Sequence, residues 1–192
     1  MRISDDRYNR DRLRLDVAMH FIRYEARTHT IRQWTGLTDD RIRKLYRSYL
    51  AEGGTQIARH RGKSPQRPAF FLRTARLRQE SAALAGLCAL LGLLDGRGAS
   101  SARAAAGIGQ AAILCQAYEA YCALVSEPAI SFEHAVLLVT ALTRRGDLTL
   151  EHCSGCGALL VSDPLSLLPA RCALCAPEQL PSEAEPPEPT AC

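Results

Sequence analysis

Four cysteines in the last quarter of the chain have the spacing of a metal site. They form two matched pairs, Cys153-Ser-Gly-Cys156 and Cys172-Ala-Leu-Cys175, with fifteen residues between the pairs. Two tight Cys-x-x-Cys turns can supply two thiolates each to one tetrahedral zinc ion. Because sulfur would fill all four coordination positions, no position remains for water or substrate. The spacing therefore predicts one structural Zn²⁺ ion held by Cys153, Cys156, Cys172 and Cys175.

Two disulfide bonds are the alternative use of the same cysteines. The chain begins with charged residues such as Arg2 and Asp5, and no apolar signal-peptide core follows them. No stretch of the sequence is long and apolar enough to span a bilayer. We therefore expect a cytoplasmic protein, in which thiols stay reduced and paired Cys-x-x-Cys motifs usually bind metal. His152 precedes Cys153 and is a possible substitute ligand, although a surface position is the simpler expectation.

Charge is distributed unevenly along the chain. Residues 1–80 contain 19 Lys and Arg against 9 Asp and Glu, whereas residues 81–192 contain 5 against 11. A basic half in a cytoplasmic protein is typical of proteins that bind a polyanion, most often nucleic acid. A solvated charged face is the alternative. Arginine outnumbers lysine in the basic half, which favours nucleic acid because guanidinium groups suit phosphates and guanine edges.

Residues 1–50 are predicted to be helical. Leu13, Val17, Phe21 and Tyr24 recur at steps of three and four residues, which is the spacing of an apolar stripe on an α-helix. This stripe predicts an amphipathic first helix.

Residues 28–49 have the pattern of a helix-turn-helix. Ile31 and Trp34 are apolar positions on a short helix, and Gly36 is placed to end it as a C-cap. Thr38 is a good N-cap for the next helix. In a helix-turn-helix the second helix enters the major groove, where its N-terminal residues meet base edges and flanking cations meet phosphates.

Basic residues of the second helix and of the following loop are the predicted DNA contacts. Asp39 and Asp40 suit the positive end of the helix but would repel phosphate, although a carboxylate can accept a hydrogen bond from cytosine N4. The loop can contact phosphates and become ordered on binding; a plain solvated loop is the alternative. The predicted DNA-binding residues are Arg41, Arg43, Lys44, Arg47, Arg59, Arg61 and Lys63.

Four segments are predicted after this region. Residues 51–70 form a basic loop rich in Gly and Pro, residues 71–146 a helical core, and residues 147–176 a four-cysteine zinc module with short strands. Residues 177–192 are rich in Pro and Glu and are predicted to be disordered. The predicted fold class is thus mainly α, with a helix-turn-helix-like segment and a small C-terminal zinc module.

Three helices are predicted within the helical core. The first ends near Asp95, the second covers residues 101–125, and the third begins after Ser131 as N-cap and ends at Gly146. Five further residues in these helices are interpreted as core positions, the tyrosines with an interface as the alternative. They are Cys88, Cys115, Cys122, Tyr118 and Tyr121.

No motif in the sequence indicates an enzyme. The chain has no phosphate-binding loop, no HExxH motif and no histidine–carboxylate set with meaningful spacing. A closed four-cysteine site also offers no Lewis-acid position. Two non-enzymatic readings remain: a DNA-binding subunit, or a zinc-stabilised protein-interaction scaffold without direct DNA contact.

The combination of a helix-turn-helix region, a helical middle and a terminal Cys-x-x-Cys pair resembles FlhC, the C-subunit family of the bacterial flagellar transcriptional activator. The resemblance extends from about Leu15 to Pro177. It is most specific in three stretches, which are Thr35-Gly-Leu-Thr-Asp-Asp-Arg-Ile-Arg-Lys-Leu-Tyr46, Gly146-Asp-Leu-Thr-Leu-Glu-His-Cys153 and Ala170-Arg-Cys-Ala-Leu-Cys175.

This resemblance implies a cytoplasmic protein that binds zinc through Cys153, Cys156, Cys172 and Cys175. It implies assembly with an FlhD-type subunit into a heterohexamer of four D and two C chains. Such a complex binds upstream of flagellar class II promoters and recruits RNA polymerase, with much of the DNA contact supplied by the C subunit. Phe70-Phe71 stands where relatives often have a tryptophan, and the tail is acidic where some relatives have a basic one.

Overall fold

The computed structural model describes residues 3–51, 62–94, 107–144, 147–167, 169–172 and 174–175. Within these ranges the chain is mainly helical, with a short antiparallel sheet beside the cysteine pairs, so the predicted fold class is confirmed. The elements are α1 (Ile3–Arg23), α2 (Thr28–Thr35), α3 (Asp39–Ala51), a 3₁₀ helix (Pro68–Leu72), α4 (Ala75–Leu90), α5 (Ile108–Leu124), α6 (Phe132–Thr143), β1 (Thr149–His152) and β2 (Leu159–Ser162). No helix in these ranges could cross a membrane, because none combines sufficient length with sufficient apolar character.

The turn between α2 and α3 forms as its residue types predict. Gly36 has φ 69°, which glycine adopts without steric cost, and its N–H donates to the Arg32 carbonyl at 2.9 Å. The Thr38 hydroxyl accepts from the Arg41 N–H at 3.4 Å at the start of α3. Leu37 is buried between the two helices. The turn therefore holds α2 and α3 as one hairpin, which also contacts α1.

An aromatic cluster joins this N-terminal part of the chain to α5 and α6. The Phe21 ring meets the edge of Phe132 with centroids 4.7 Å apart. Tyr24 stacks on Phe132 at 5.2 Å and meets Tyr118 edge-on at 5.0 Å. Because aromatic pairs of this kind add stability beyond their buried area, α1 and the turn after it form a common core with α5 and α6.

A buried carboxylate on α4 holds the segment that connects α5 to α6. Glu80 of α4 accepts hydrogen bonds from the Tyr121 hydroxyl, from the Ala129 N–H at 2.8 Å and from Arg76 Nε at 2.7 Å. Burial alone would raise the pKa of the Glu80 carboxyl, but these hydrogen bonds together outweigh burial and hold the pKa below its ordinary value. The Tyr121 hydroxyl accepts in turn from the Ile130 N–H at 3.2 Å.

Helix ends agree with the sequence predictions where a capping residue is present. The Ser131 hydroxyl accepts from the His134 N–H at 3.4 Å and caps α6, as predicted. The helix predicted to end near Asp95 ends instead at Leu90, because Gly92 adopts φ 77° and turns the chain. The predictions for residues 52–61, 95–106, Gly146 and the tail from residue 176 onward lie outside the described residues.

The 3₁₀ helix was not predicted within the loop assigned to residues 51–70. Pro68 begins it, which suits a ring whose fixed φ matches the first helical position. Phe71 is fully buried against the core, and Phe70 stacks on His134 of α6 with centroids 4.1 Å apart. Two adjacent aromatic side chains therefore fix the end of the loop to the helical core.

Candidate metal centre and nucleic-acid interface

The first cysteine pair lies on the tight turn that joins β1 to β2. The two strands pair antiparallel, with Thr149 opposite Ser162 and His152 opposite Leu159. The Cys153 N–H donates to the Ala158 carbonyl at 2.8 Å, which closes the turn. The hairpin thus presents the first two thiols of the predicted ligand set on one short, hydrogen-bonded turn.

The second cysteine pair is brought to the first by the chain that follows β2. The Ser154 N–H donates to the Ala170 carbonyl at 2.9 Å, and the Cys175 N–H donates to the Cys172 carbonyl at 3.0 Å. These bonds place the second turn directly against the first. The structure therefore brings together all four cysteines that the sequence predicted as ligands.

The four sulfur atoms have the spacing of a metal site. They all lie within 4.8 Å of one another, and Cys156 Sγ is 3.6 Å from Cys172 Sγ. A tetrahedron of Zn–S bonds of about 2.3 Å places sulfurs about 3.8 Å apart, whereas a disulfide bond is about 2.05 Å long. Every cysteine in the described ranges is a free thiol. Four soft donors at this separation can hold a metal ion.

Backbone N–H groups stabilise negative charge on the first ligand. Cys153 Sγ accepts from the Cys172 N–H at 3.3 Å and from the Gly155 N–H at 3.4 Å. The Cys172 N–H contributes most, and with the N–H groups of Cys156 and Gly155 it lowers the pKa of the Cys153 thiol to about 6. A thiolate is the form that binds metal, so the turns favour the charge state that coordination needs.

The thiols of the second cysteine pair have pKa values that are shifted in opposite directions. The Cys175 N–H is the main cause of the lowered pKa of Cys172. Hydrogen bonding with Cys172, then Cys156 and Cys153, raises the pKa of Cys175 to about 12. A divalent metal would offset the negative charge that thiolate ligands bring together at this point.

Two glycines in the first turn have different roles. Gly157 has φ 72°, and its N–H donates to the Cys153 carbonyl at 2.8 Å. Gly155 does not have a positive φ, and its role is steric. A Cβ atom at Gly155 would lie 3.0 Å from Cys175 Sγ and 3.1 Å from Cys175 Cβ. Glycine at this position therefore allows the second turn to approach the first.

The remaining described cysteines and His152 do not belong to the cluster. Cys88 and Cys115 are buried, and burial raises the pKa of each thiol to about 12. Cys122 is partly buried against the same core. These positions confirm the interpretation of the three as small core residues. His152 is exposed and outside the group of four sulfurs, in agreement with the expected surface position.

The α2–α3 hairpin displays the predicted cations of α3 to solvent. Ile42 and Tyr46 are buried, and the Tyr46 hydroxyl donates to the Ala26 carbonyl at 2.9 Å. These contacts fix the inward face of α3. The predicted DNA-binding residues of this helix, Arg41, Arg43, Lys44 and Arg47, are all exposed.

The two carboxylates at the start of α3, which were expected to repel phosphate, each form an ion pair. Asp39 Oδ1 lies 3.7 Å from Arg32 Nη1, and Asp40 Oδ1 lies 2.9 Å from Arg43 Nη1. Among the residues that the structure describes, no ion pair involves Lys44 or Arg47. The exposed face of α3 therefore keeps cations available for phosphate, while each acidic group has a cation of its own.

Of the predicted loop contacts, Lys63 is exposed, whereas Arg59 and Arg61 lie outside the described residues. Lys63 borders a cleft of about 1070 Å³ between the start of α2, residues 62–68 and α6. Sequence reasoning missed the other charged residues of this cleft, among them Arg27, Glu133 and Arg144. The signal in the sequence was a glutamate in a helix that is mostly apolar.

Glu133 connects α6 to the α2–α3 hairpin. Its side chain is 7% exposed and accepts from the Arg27 N–H at 2.7 Å and from the Thr30 hydroxyl at 3.1 Å. The Arg27 guanidinium lies 3.7 Å from the same carboxylate. Arg27 is the N-cap residue of α2 and provides no side-chain cap. Glu133 accepts the N–H of this N-cap residue, as the glutamate of a capping box does, but from a distant helix.

No family model matches the chain, and no curated protein matches it. The cysteine cluster and the α2–α3 hairpin are therefore the features of the chain that bear on its function.

Proposed function

We propose that this chain is the DNA-binding subunit of a heteromeric transcriptional activator of flagellar class II genes. In this proposal it acts in the cytoplasm with an FlhD-type subunit and recruits RNA polymerase. The observation that carries the proposal is the α2–α3 hairpin, in which a three-residue turn precedes a helix with an exposed basic face. This is the arrangement that places a recognition helix in the major groove.

The dimensions and charge of α3 support this role. Its 13 residues give a length of about 20 Å at 1.5 Å per residue, enough to lie in a major groove about 12 Å wide. Lys44 and Arg47 are exposed, and Arg41 flanks them near the start of the helix. Phosphate contacts from such cations supply affinity, whereas base contacts near the helix start would supply sequence preference.

Zinc is the metal we propose for the cysteine cluster. Four thiolates in a tetrahedral arrangement suit Zn²⁺ or iron, and a closed four-sulfur site is typical of structural zinc. Cys153, Cys156, Cys172 and Cys175 would hold the ion and leave no position for catalysis. Its contribution is to folding: structural zinc supplies on the order of 10 kcal/mol of apparent folding free energy, and the paired strands are only four residues each.

The proposed assembly follows from the resemblance to FlhC, with four FlhD-type chains and two copies of this chain. Co-expression with an FlhD-type subunit, followed by mass determination of the purified complex, tests it. A heterohexamer is expected; a chain that remains alone or pairs only with itself would refute this part of the proposal.

A scaffold without direct DNA contact is the second candidate, and one observation favours it. Three leucines around the second half of the cysteine cluster are largely exposed: Leu165 at 83%, Leu167 at 100% and Leu174 at 87%. Apolar side chains that are exposed on one segment can take part in a protein contact. In this alternative the metal organises an interface, and the cations of α3 serve only as a solvated face.

The dependence of DNA affinity on salt distinguishes the two candidates. Fluorescence anisotropy with a class II promoter duplex, the partner subunit present, would give a Kd at several salt concentrations. Each phosphate contact adds about 0.9 to the slope of log K against log salt. The Lys44→Gln/Arg47→Gln double variant should therefore lower the slope by about 2.

The matched control is Arg12→Gln/Arg23→Gln, which removes the same charge from α1, where both side chains are exposed. This control should leave the slope nearly unchanged. A complex that assembles but binds promoter DNA independently of salt, or not at all, would favour the scaffold.

A further inference from the structure

A groove follows the second strand of the sheet. We call it the β2 groove; its volume is about 530 Å³. One wall is α4, through residues such as Ala82, and the other is the chain around the second cysteine pair, through Pro169 and Leu174. Residues 158–163, which include all of β2, line it without a break, whereas β1 contributes Glu151. The groove therefore lies along the side of β2 that faces away from β1.

Backbone groups of β2 point toward this groove. The described sheet has two strands, so β2 has β1 on one edge and no strand on the other. Hydrogen-bonded and non-hydrogen-bonded pairs alternate along an antiparallel ladder. The Cys153 N–H donates to the Ala158 carbonyl, and in this register Leu160 is the next residue bonded to β1. The N–H and C=O groups of Leu159 and Val161 therefore point to the opposite edge.

Nothing in β2 protects this edge from another chain. Within the ranges that the structure describes, no hydrogen bond engages the backbone of Leu159 or Val161. Proteins usually shield an unpaired edge with charged residues, with proline or with a bulge. The strand Leu159–Ser162 has the sequence Leu-Leu-Val-Ser and contains none of these. The edge is therefore suited to pair with an added strand.

The charges and walls of the β2 groove restrict what can occupy it. Its charged residues are two cations and two carboxylates, namely Arg78, Arg171, Glu151 and Asp163. This balance offers no excess positive charge to the chain's own tail, residues 177–192, which is rich in Glu and Pro. Proline also cannot donate to a ladder. A second copy of the chain would bring walls of its own, which keep two β2 edges apart.

We propose that the β2 groove binds an extended segment of a partner polypeptide, which joins the sheet as a third strand. Strand addition of this kind takes its affinity from main-chain hydrogen bonds and its specificity from alternate side chains. The segment has no proline opposite Leu159 or Val161 and carries no net charge. Its aliphatic side chains pack against apolar walls such as Ala82 and Leu174. The inference goes beyond the proposed function, because no step of it depends on DNA.

Hydrogen exchange of the full chain with Zn²⁺ supplied tests the proposal. The probe is the capped peptide acetyl-Lys-Thr-Leu-Thr-Val-Thr-Glu-amide, which is neutral overall and has no proline. At a peptide concentration of about ten times its Kd, exchange at the Leu159 and Val161 amides should slow about tenfold. The Leu160 amide, whose partner is on β1, is the internal reference and should change little.

Two N-methylated peptides test whether the backbone makes the contact. One carries methyl groups on the three threonine nitrogens, and the other carries them on the leucine and valine nitrogens. Because alternate N–H groups of a strand point to opposite edges, one peptide loses the donors that face β2. That peptide should bind about tenfold more weakly or worse, whereas the other should bind nearly as the unmodified peptide does.

A pair of tryptophan variants tests the position of the site. Ala82→Trp places an indole in the β2 groove and should reduce peptide affinity about tenfold or more. Ala83→Trp is the matched control, since Ala83 is the next residue of α4 and is exposed outside the groove. It should bind as the unchanged chain does. Circular dichroism of both variants checks that the helices are retained.

Four results would overturn the proposal. The first is unchanged exchange at Leu159 and Val161 in about 1 mM peptide, and the second is equal binding of both N-methylated peptides. If removal of residues 176–192 by itself speeds exchange at these amides, the chain's own tail is the occupant. If exchange in the chain alone slows as its concentration rises, a second copy is the occupant.

Discussion

Replacing Glu80 by alanine should destabilise the fold strongly, because this carboxylate is the acceptor for three donors. The Tyr121 hydroxyl and the Ala129 N–H would each lose a buried acceptor, at a cost of roughly 1–3 kcal/mol per group. The Arg76 side chain is more than half exposed and can turn to water, so its loss adds little. The expected decrease in the free energy of unfolding is about 3 kcal/mol.

This decrease is a large part of the roughly 5–15 kcal/mol that stabilises a typical protein. For a chain of this size it corresponds to a Tm lowered by about 6–12 °C. Urea denaturation followed by circular dichroism, at fixed metal saturation, would measure it. Glu119→Ala is the matched control, since Glu119 is exposed on α5, and it should change stability by less than about 0.5 kcal/mol.

The Glu80 prediction also has a pH dependence of defined sign. The pKa of Glu80 is lowered in the folded protein, so its charged form stabilises the fold above the unfolded pKa of about 4.3. That contribution is lost as the pH falls through the folded pKa. The stability difference between wild type and Glu80→Gln should therefore shrink below about pH 4. An alanine variant as stable as the Glu119 control, or a difference that grows in acid, would refute the reasoning.

Three further variants test other parts of the structure. Cys153→Ser removes the ligand whose thiolate receives the most N–H donors and should release the metal, as atomic absorption would show; unchanged metal content would refute the ligand assignment. Gly155→Ala places a Cβ 3.0 Å from Cys175 Sγ and should weaken metal retention against a chelator, whereas Gly109→Ala, with open space around it, should not. Glu133→Ala should cost about 2–4 kcal/mol, from the Arg27 N–H and Thr30 hydroxyl left without their acceptor. It should also speed hydrogen exchange at the start of α2; Glu133→Gln should restore part of that protection, and equal exchange in all three proteins would contradict the capping role.

Features that depend on neighbouring residues could be predicted from the sequence. The cysteine spacing predicted the cluster because each pair closes a short turn, and Ser131 predicted the start of α6 because an N-cap acts within one helical turn. Gly36 predicted the α2–α3 turn for the same reason.

Contacts between distant segments could not be predicted in this way. Glu133 and Arg27 are 106 residues apart in the chain, and no periodicity connects them. Glu80 has the spacing of a surface pair with Arg76, four residues earlier. Its burial results from the segment around Ala129, which covers it after α5. The positions of both carboxylates depend on the packing of whole helices, which local patterns do not encode.

The sheet that carries the first cysteine turn is not separable from the helices. Val161 of β2 and Leu148 before β1 belong to the same apolar cluster as Phe21 and Leu84, and β2 lies against α4. Removal of the chain from residue 147 onward would expose the surface of α4 against which β2 packs. If the cysteine cluster holds a metal ion, as proposed, loss of that ion would loosen a sheet that shares its core with the helices.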